Sequence, residues 1–175
     1  ATANAEMVML ANENPTLHTI LNDASLVVPD GAGILWAAER QGEHVPERVT
    51  GVDVTKRLFK VAAERQIPVY CLGAAPGVAQ RAIDNLSAQV GPLNIAGIHD
   101  GFFDSTEEQE IVKAISESKA KLVFVALGVP KQEQWISEKL SHLDGVVAIG
   151  IGGSFDVLAG NIPRAPEWMQ RNRLE

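Results

Sequence analysis

The stretch Leu122-Val123-Phe124-Val125-Ala126-Leu127-Gly128-Val129-Pro130-Lys131-Gln132 decides the fold. It opens as an unbroken apolar run, the pattern of a strand covered on both faces. Gly128 interrupts the run. Pro130 suits the opening of a helix, because its φ is already helical and its missing N–H is one the helix would leave unused. A buried strand therefore passes through a glycine turn into a helix. Working outward, the same succession recurs. Leu26–Pro29, Pro68–Leu72, Leu93–Ile98 and Val146–Ile151 are further strand candidates. Between them lie amphipathic stretches. Val78, Ala82, Ile83, Leu86 and Val90 share one helical face. Val54, Leu58, Val61 and Ala62 share another, and Ile111, Val112 and Ile115 a third. Ser105 with Glu108 predicts a capping box before the last of these. Two short helices, Ala5–Asn12 and Pro15–Asp23, precede the first clear strand. Strand–helix alternation predicts an α/β, Rossmann-like fold: a mostly parallel sheet with helices on both faces.

The 175 residues suit one domain spanning 1–175, with no linker, repeat or low-complexity tract. Hydrophobic residues make up 46%, enough to exclude disorder. The net charge of -7 argues against nucleic acid as a partner, since phosphate neutralisation needs a basic face. Cys71 is the single cysteine, so there is no intrachain disulfide and no four-cysteine zinc site. No apolar run approaches the ~18 residues that span a bilayer. The chain begins at Ala1 and ends at Glu175 in what read as mid-motif positions, so a core cut from a longer protein is expected.

Open α/β sheets bind ligands beyond the carboxyl ends of their strands. Here the unusual residues fall there: Asp30-Gly31-Ala32-Gly33, Gly73-Ala74-Ala75-Pro76-Gly77, His99-Asp100-Gly101, Gly128 to Gln132, and Gly152-Gly153-Ser154-Phe155-Asp156. Thr2 and Asn4 join this rim if a strand lies upstream of Ala1. One such cluster is an ordinary turn; five on one rim predict a shared crevice. Helix N-termini converging there suit a phosphate or diphosphate. Lys131, in a first helical turn, opposes the helix dipole, which a bound anion would relieve; a solvated lysine is the alternative. There is no G-x-x-x-x-G-K-[ST], and Gly150-Ile151-Gly152-Gly153 is not a dinucleotide fingerprint. His18, His44, His99 and His142 lack ligand-pair spacing. Asp100-Gly101 reads as a turn and Asp104 or Ser105 as a helix cap rather than as metal ligands. Asp30, closing an apolar strand, is the candidate general base, with burial expected to raise its pKa; a helix N-cap is the alternative. Arg48 either clamps a phosphate or pairs with a carboxylate such as Glu47. Trp36, Trp135 and Trp168 read as core or interface aromatics.

Thr2-Ala3-Asn4-Ala5-Glu6, Pro29-Asp30-Gly31, Glu47-Arg48-Val49-Thr50-Gly51, Leu72-Gly73-Ala74, Leu127 to Glu133 and Gly152 to Asp156 occur in order along nearly the whole chain. Together they resemble the WecG/TagA/CpsF glycosyltransferase family. The resemblance implies transfer of N-acetylmannosamine from UDP-N-acetylmannosamine to the 4-hydroxyl of GlcNAc in undecaprenyl-diphosphate-GlcNAc, in making the linkage unit of wall teichoic acid. It implies inversion without metal or cofactor. Asp30 matches the family's base. Thr2 and Asn4 match positions lining the sugar pocket, and Arg48 and Gln132 further active-site positions. Asp156 and the turn Gly152-Gly153-Ser154 match the nucleotide side. Lys131 is counted with the substrate-binding group, and Gly73, Ala74 and Gly128 with the nucleotide.

Family members continue into a basic, partly apolar segment implied to contact the membrane, at which Arg164, Arg171 and Arg173 hint. The implied place is the cytoplasm, peripheral at the inner face of the bacterial cell membrane, with self-association of the core through an exposed edge. Two other readings stand beside this one. One changes the donor to UDP-N-acetylmannosaminuronic acid. The other is a non-catalytic nucleotide-sugar-binding module. In any of them an acidic chain handles anions, so attraction must come from local groups rather than from net charge.

Overall fold

The computed structural model describes residues 1–165. In chain order the elements are β1 (Thr2–Ala3), α1 (Ala5–Glu13), α2 (Pro15–Asp23), β2 (Val28–Pro29), α3 (Ala32–Arg40), α4 (Gly51–Arg65) and β3 (Val69–Gly73). They continue as α5 (Val78–Val90), β4 (Ile95–His99), α6 (Ser105–Glu117), β5 (Leu122–Ala126), α7 (Lys131–Lys139), β6 (Val147–Gly150) and α8 (Ser154–Leu158). The main sheet is parallel, in the order β4-β3-β5-β6. The α/β expectation therefore holds. The central pair β3 and β5 is buried throughout, as their continuous apolar runs required, while the edge strands are only partly covered.

Strand parity divides the core. Val69, Cys71, Leu122, Phe124 and Ala126 face α4, α5 and α8. Tyr70, Leu72, Val123 and Val125 face α6 and α7. Phe59 of α4 stacks on Phe124 with centroids 4.5 Å apart. That contact corrects the expected face of α4. The buried side runs through Thr55, Phe59, Ala62 and Ala63, whereas Val61 is exposed. Thr55 can be buried because its hydroxyl donates to the Gly51 carbonyl one turn back.

The amino-terminal region differs most from expectation. Thr2 itself lies in a strand, β1, and Asn4 follows it. β1 pairs in parallel with β2 as a separate two-stranded sheet. The run from Leu26 yields a strand only at Val28–Pro29. Leu26 and Val27 are exposed and belong to the surface. The capping box before α6 is also shifted by one residue. Asp104 is the cap, accepting from Thr106 and Glu107 N–H, while Glu107 reaches back to the Asp104 N–H. Asp100 makes the expected turn, accepting from Phe102 N–H. Trp135 is core, with Nε1 donating to Glu108. Trp36 is not core: it is exposed beside Arg40. Trp168, Arg171 and Arg173 lie outside the described residues.

Candidate active site

From β3 the chain turns outward through α5 to β4, then crosses back through α6 to β5 on the other side. The carboxyl ends of β3 and β5 therefore form a topological switch point. Gly73, Ala74 and Gly128 are at this place. A Cβ on Gly73 would strike the Ala126 carbonyl, and its φ of 117° is one that side chains avoid. Ala74 N–H donates to Ala126 O at 2.9 Å, and Ala74 O accepts Gly101 N–H at 2.8 Å. The turn is thus locked to both neighbouring strand ends. Beside it lies a cavity of about 240 Å³ lined by Gly73, Ala75, Gly77, Gln80, His99 and Asp100.

A second group of residues gathers where α4 begins. Asp30 follows β2, and its backbone N–H is held by Ala3 O at 2.8 Å. The cap of α3 is Gly31, not Asp30. Its side chain reaches a different helix: Oδ2 accepts the N–H of Gly51, first residue of α4, at 2.9 Å. Asp30 is half-buried rather than enclosed, contrary to the burial expected of it.

Gly51 marks the point these elements share. A Cβ built on it would stand 3.4 Å from Asp30 Oδ2, 3.5 Å from Ser154 Oγ and 3.7 Å from Thr2 Oγ1. A carboxylate and two hydroxyls thus come from three separated segments to one locus. Such a set can accept a proton from a hydroxyl and orient it. Gly51 is not among the site residues expected from the sequence. Its signal was a glycine at a first helical position, where no turn requires one.

Asn4 caps α1, its Oδ1 accepting from Met7 N–H at 2.8 Å. Arg48 lies in the segment before α4, half-buried, with Nη1 buried. Lys131 begins α7 and is exposed, with Nζ 5.2 Å from the centre of the Phe103 ring. That cation–π contact partly accounts for a lysine at a helix start. Gln132 is buried, and its Oε1 accepts Gly152 N–H at 2.9 Å. Gly152 N–H is therefore already engaged. The Ser154 N–H and Oγ both reach Ile151 O, at 3.1 and 2.6 Å. Asp156 Oδ1 accepts from Asn161.

The start of α4 is clamped from afar. Thr50 caps it, and Arg164 grips Asp53 with Nη1–Oδ1 at 2.6 Å and Nη2–Oδ2 at 2.7 Å. The Arg164 hydrogen bonds, joined by one from Thr50, hold the Asp53 carboxyl down to about 2. Nearby, α1, β2, α3 and residues 44–49 enclose an apolar groove of about 500 Å³, lined by Val8, Val27, Val28, Ile34, Val45 and Val49. Pro29 and Ala3 also line it, next in sequence to Asp30 and Thr2. Among the described residues no three of His, Cys, Asp or Glu gather as a metal site would, and no helix is long and apolar enough to cross a membrane.

The glycosyl transferase WecG/TagA/CpsF family profile matches residues 1–175. A Bacillus subtilis (strain 168) protein is 33% identical over 175 residues, covering 100% of this chain and 68% of its own length. It is named N-acetylglucosaminyldiphosphoundecaprenol N-acetyl-beta-D-mannosaminyltransferase. A Staphylococcus aureus (strain NCTC 8325 / PS 47) protein of the same name is 32% identical over 174 residues, covering 99% of this chain and 68% of its own. With the motifs in order along the chain and the profile spanning all of it, the protein belongs to the WecG/TagA/CpsF glycosyltransferase family.

Proposed function

We propose that this glycosyltransferase moves N-acetylmannosamine from UDP-N-acetylmannosamine to the 4-hydroxyl of a GlcNAc carried on undecaprenyl diphosphate, with inversion at the sugar's anomeric carbon. The relatives' shared name supports the sugar and the acceptor. The observation that carries the chemistry is the meeting of Asp30, Thr2 and Ser154 oxygens about Gly51. Asp30 takes the proton of the acceptor hydroxyl. That oxygen attacks the anomeric carbon, and the carbon–oxygen bond to the diphosphate breaks with its electrons passing to UDP. A single displacement from an α-linked donor gives a β product. The departing diphosphate needs positive charge. Arg48, Lys131 and the switch-point turns Gly73-Ala74 and Gly128 are the assigned groups, with Asn4 beside the sugar. Gly153 and Asp156 complete the nucleotide side.

The apolar groove beside Pro29 supports an acceptor borne on a lipid. The enzyme then works at the cytoplasmic face of the membrane, as a peripheral protein. Product analysis tests the proposal. The full-length protein is incubated with UDP-N-acetylmannosamine and a lipid-diphosphate-GlcNAc analogue. UDP and a β-linked disaccharide lipid are expected in equal amounts. Folded, UDP-binding protein that forms no disaccharide would overturn the reading and leave a binding module. Turnover only with the uronic acid donor would move the assignment to that substrate.

A further inference from the structure

Under the turn that delivers Ser154 lie two buried polar side chains, both from the first turn of α7. Gln132 is 2% exposed and Glu133 is 4% exposed. Gln132 Oε1 accepts Gly152 N–H at 2.9 Å, and its Nε2 donates to Glu133 Oε1 at 2.7 Å. Gly150 makes the space: a Cβ there would lie 2.6 Å from Gln132 Nε2 and 2.8 Å from Glu133 Oε1. The other Glu133 oxygen, Oε2, is buried without a hydrogen-bond partner. Burial pushes the Glu133 carboxyl up from its ordinary range. A half-satisfied buried carboxyl is costly where an apolar side chain would pack. Its presence therefore points to a task.

The two ends of an amide are alike in shape and opposite in hydrogen bonding. Turned over, Gln132 would set its NH₂ against the Gly152 N–H, donor against donor. Gly152 N–H can only donate, and Glu133 Oε1 accepts whether or not the carboxyl is ionised. Together they leave Gln132 one orientation. We propose that Glu133 is a positioning residue. It holds the Gln132 amide so that the Gly152-Gly153-Ser154 turn keeps Ser154 Oγ at the locus shared with Asp30 and Thr2. The proposal rests on the transferase reading for its effect on turnover, but its geometric part does not.

The test compares Glu133→Gln, Glu133→Met, Gln132→Leu and the double variant Gln132→Leu/Glu133→Met in the full-length protein. Three quantities are read: UDP release with separate kcat and donor KM, thermal midpoint, and hydrogen exchange at the Gly152 amide. Glu133→Gln keeps the acceptor oxygen, so kcat/KM within about threefold and unchanged Gly152 protection are expected. Glu133→Met loses the acceptor but packs. A fall in kcat/KM of about tenfold or more and faster Gly152 exchange are expected, with an equal or higher midpoint. The double variant is no worse than Gln132→Leu, because Glu133 acts through Gln132. Wild-type Gly152 protection in Glu133→Met, or losses that multiply in the double variant, would overturn the proposal. If Glu133→Met does not fold, Glu133→Gln decides: a folded variant that loses Gly152 protection refutes it. Gly152 exchange decides the geometry even if no transferase activity is found.

Discussion

Replacing Gly51 with alanine separates the site from the scaffold. The added Cβ meets Asp30 Oδ2 at 3.4 Å, Ser154 Oγ at 3.5 Å and Thr2 Oγ1 at 3.7 Å, all ordinary van der Waals distances. No backbone lies in the way, and Gly51 has no left-handed φ that a side chain would resist. Alanine also suits a helix better than glycine, by at most about 1 kcal/mol in a helix interior and less in its first turn. Stability should therefore stay level or rise by a few tenths of a kcal/mol. The methyl group nonetheless occupies the space into which a carboxylate and two hydroxyls point. Displacing a reacting group by ~1 Å can cost about 100-fold in rate. The expected fall in kcat/KM is between about 10- and 100-fold, or ~1.4 to ~2.7 kcal/mol of transition-state stabilisation. Coupled-assay UDP release measures it, with a thermal melt on the same sample. A folded Gly51→Ala enzyme within threefold of wild type would refute the argument that the acceptor reacts at this locus.

Two further predictions concern the supports of the site. Gly150→Ala drives a methyl into Gln132 and Glu133 at 2.6 and 2.8 Å, so it should destabilise by about 1–3 kcal/mol and cut turnover as well. A denaturant titration beside the activity assay checks this; an unchanged midpoint would contradict it. Asp53 is held at about 2 against a reference of 3.8. Its folded value is depressed, so the Arg164 contact contributes fully above about pH 4 and fades as pH falls towards 2. The shift alone corresponds to about 2.5 kcal/mol, but solvent screens a side chain that is 44% exposed, and about 1 kcal/mol is expected. Asp53→Asn should lose that amount at pH 7 in chemical denaturation, and the gap from wild type should close near pH 2. A gap that widens on acidification would invert the assignment.

How far the sequence speaks depends on which physical signal each region carries. β3 and β5 were legible because a strand covered on both faces must be apolar at every position, and the alternation with helices fixed the parallel class. The rim was legible for the same reason: polar and glycine residues interrupt apolar runs where strands end. The run from Leu26 misled in part: Val28 and Pro29 pair with β1, but Leu26 and Val27 are apolar residues left on the surface. α4 misled because Thr55 satisfies its hydroxyl within the helix and can face the core beside Phe59, leaving Val61 outside. Glu133 was hidden, since a glutamate early in a helix reads as a solvated dipole partner; only the three-dimensional approach of Gly150 shows that it is buried. The convergence on Gly51 joins segments distant in sequence, and its one local trace is a glycine at a first helical position. Arg164 reads in the sequence as a hint of a basic membrane-contacting segment; its contact with Asp53, more than a hundred residues away, has no local signal.

Asp30 is the proposed base for the acceptor proton, a role that one substitution isolates. Asp30→Asn keeps the shape and a carbonyl oxygen for the Gly51 N–H, while removing the base. Disaccharide formation and UDP affinity, measured on the same protein, test that role. A loss of about 10²- to 10⁴-fold in turnover is expected, with UDP affinity within about threefold of wild type. Turnover within tenfold of wild type, in a variant that is folded and binds UDP, would contradict it.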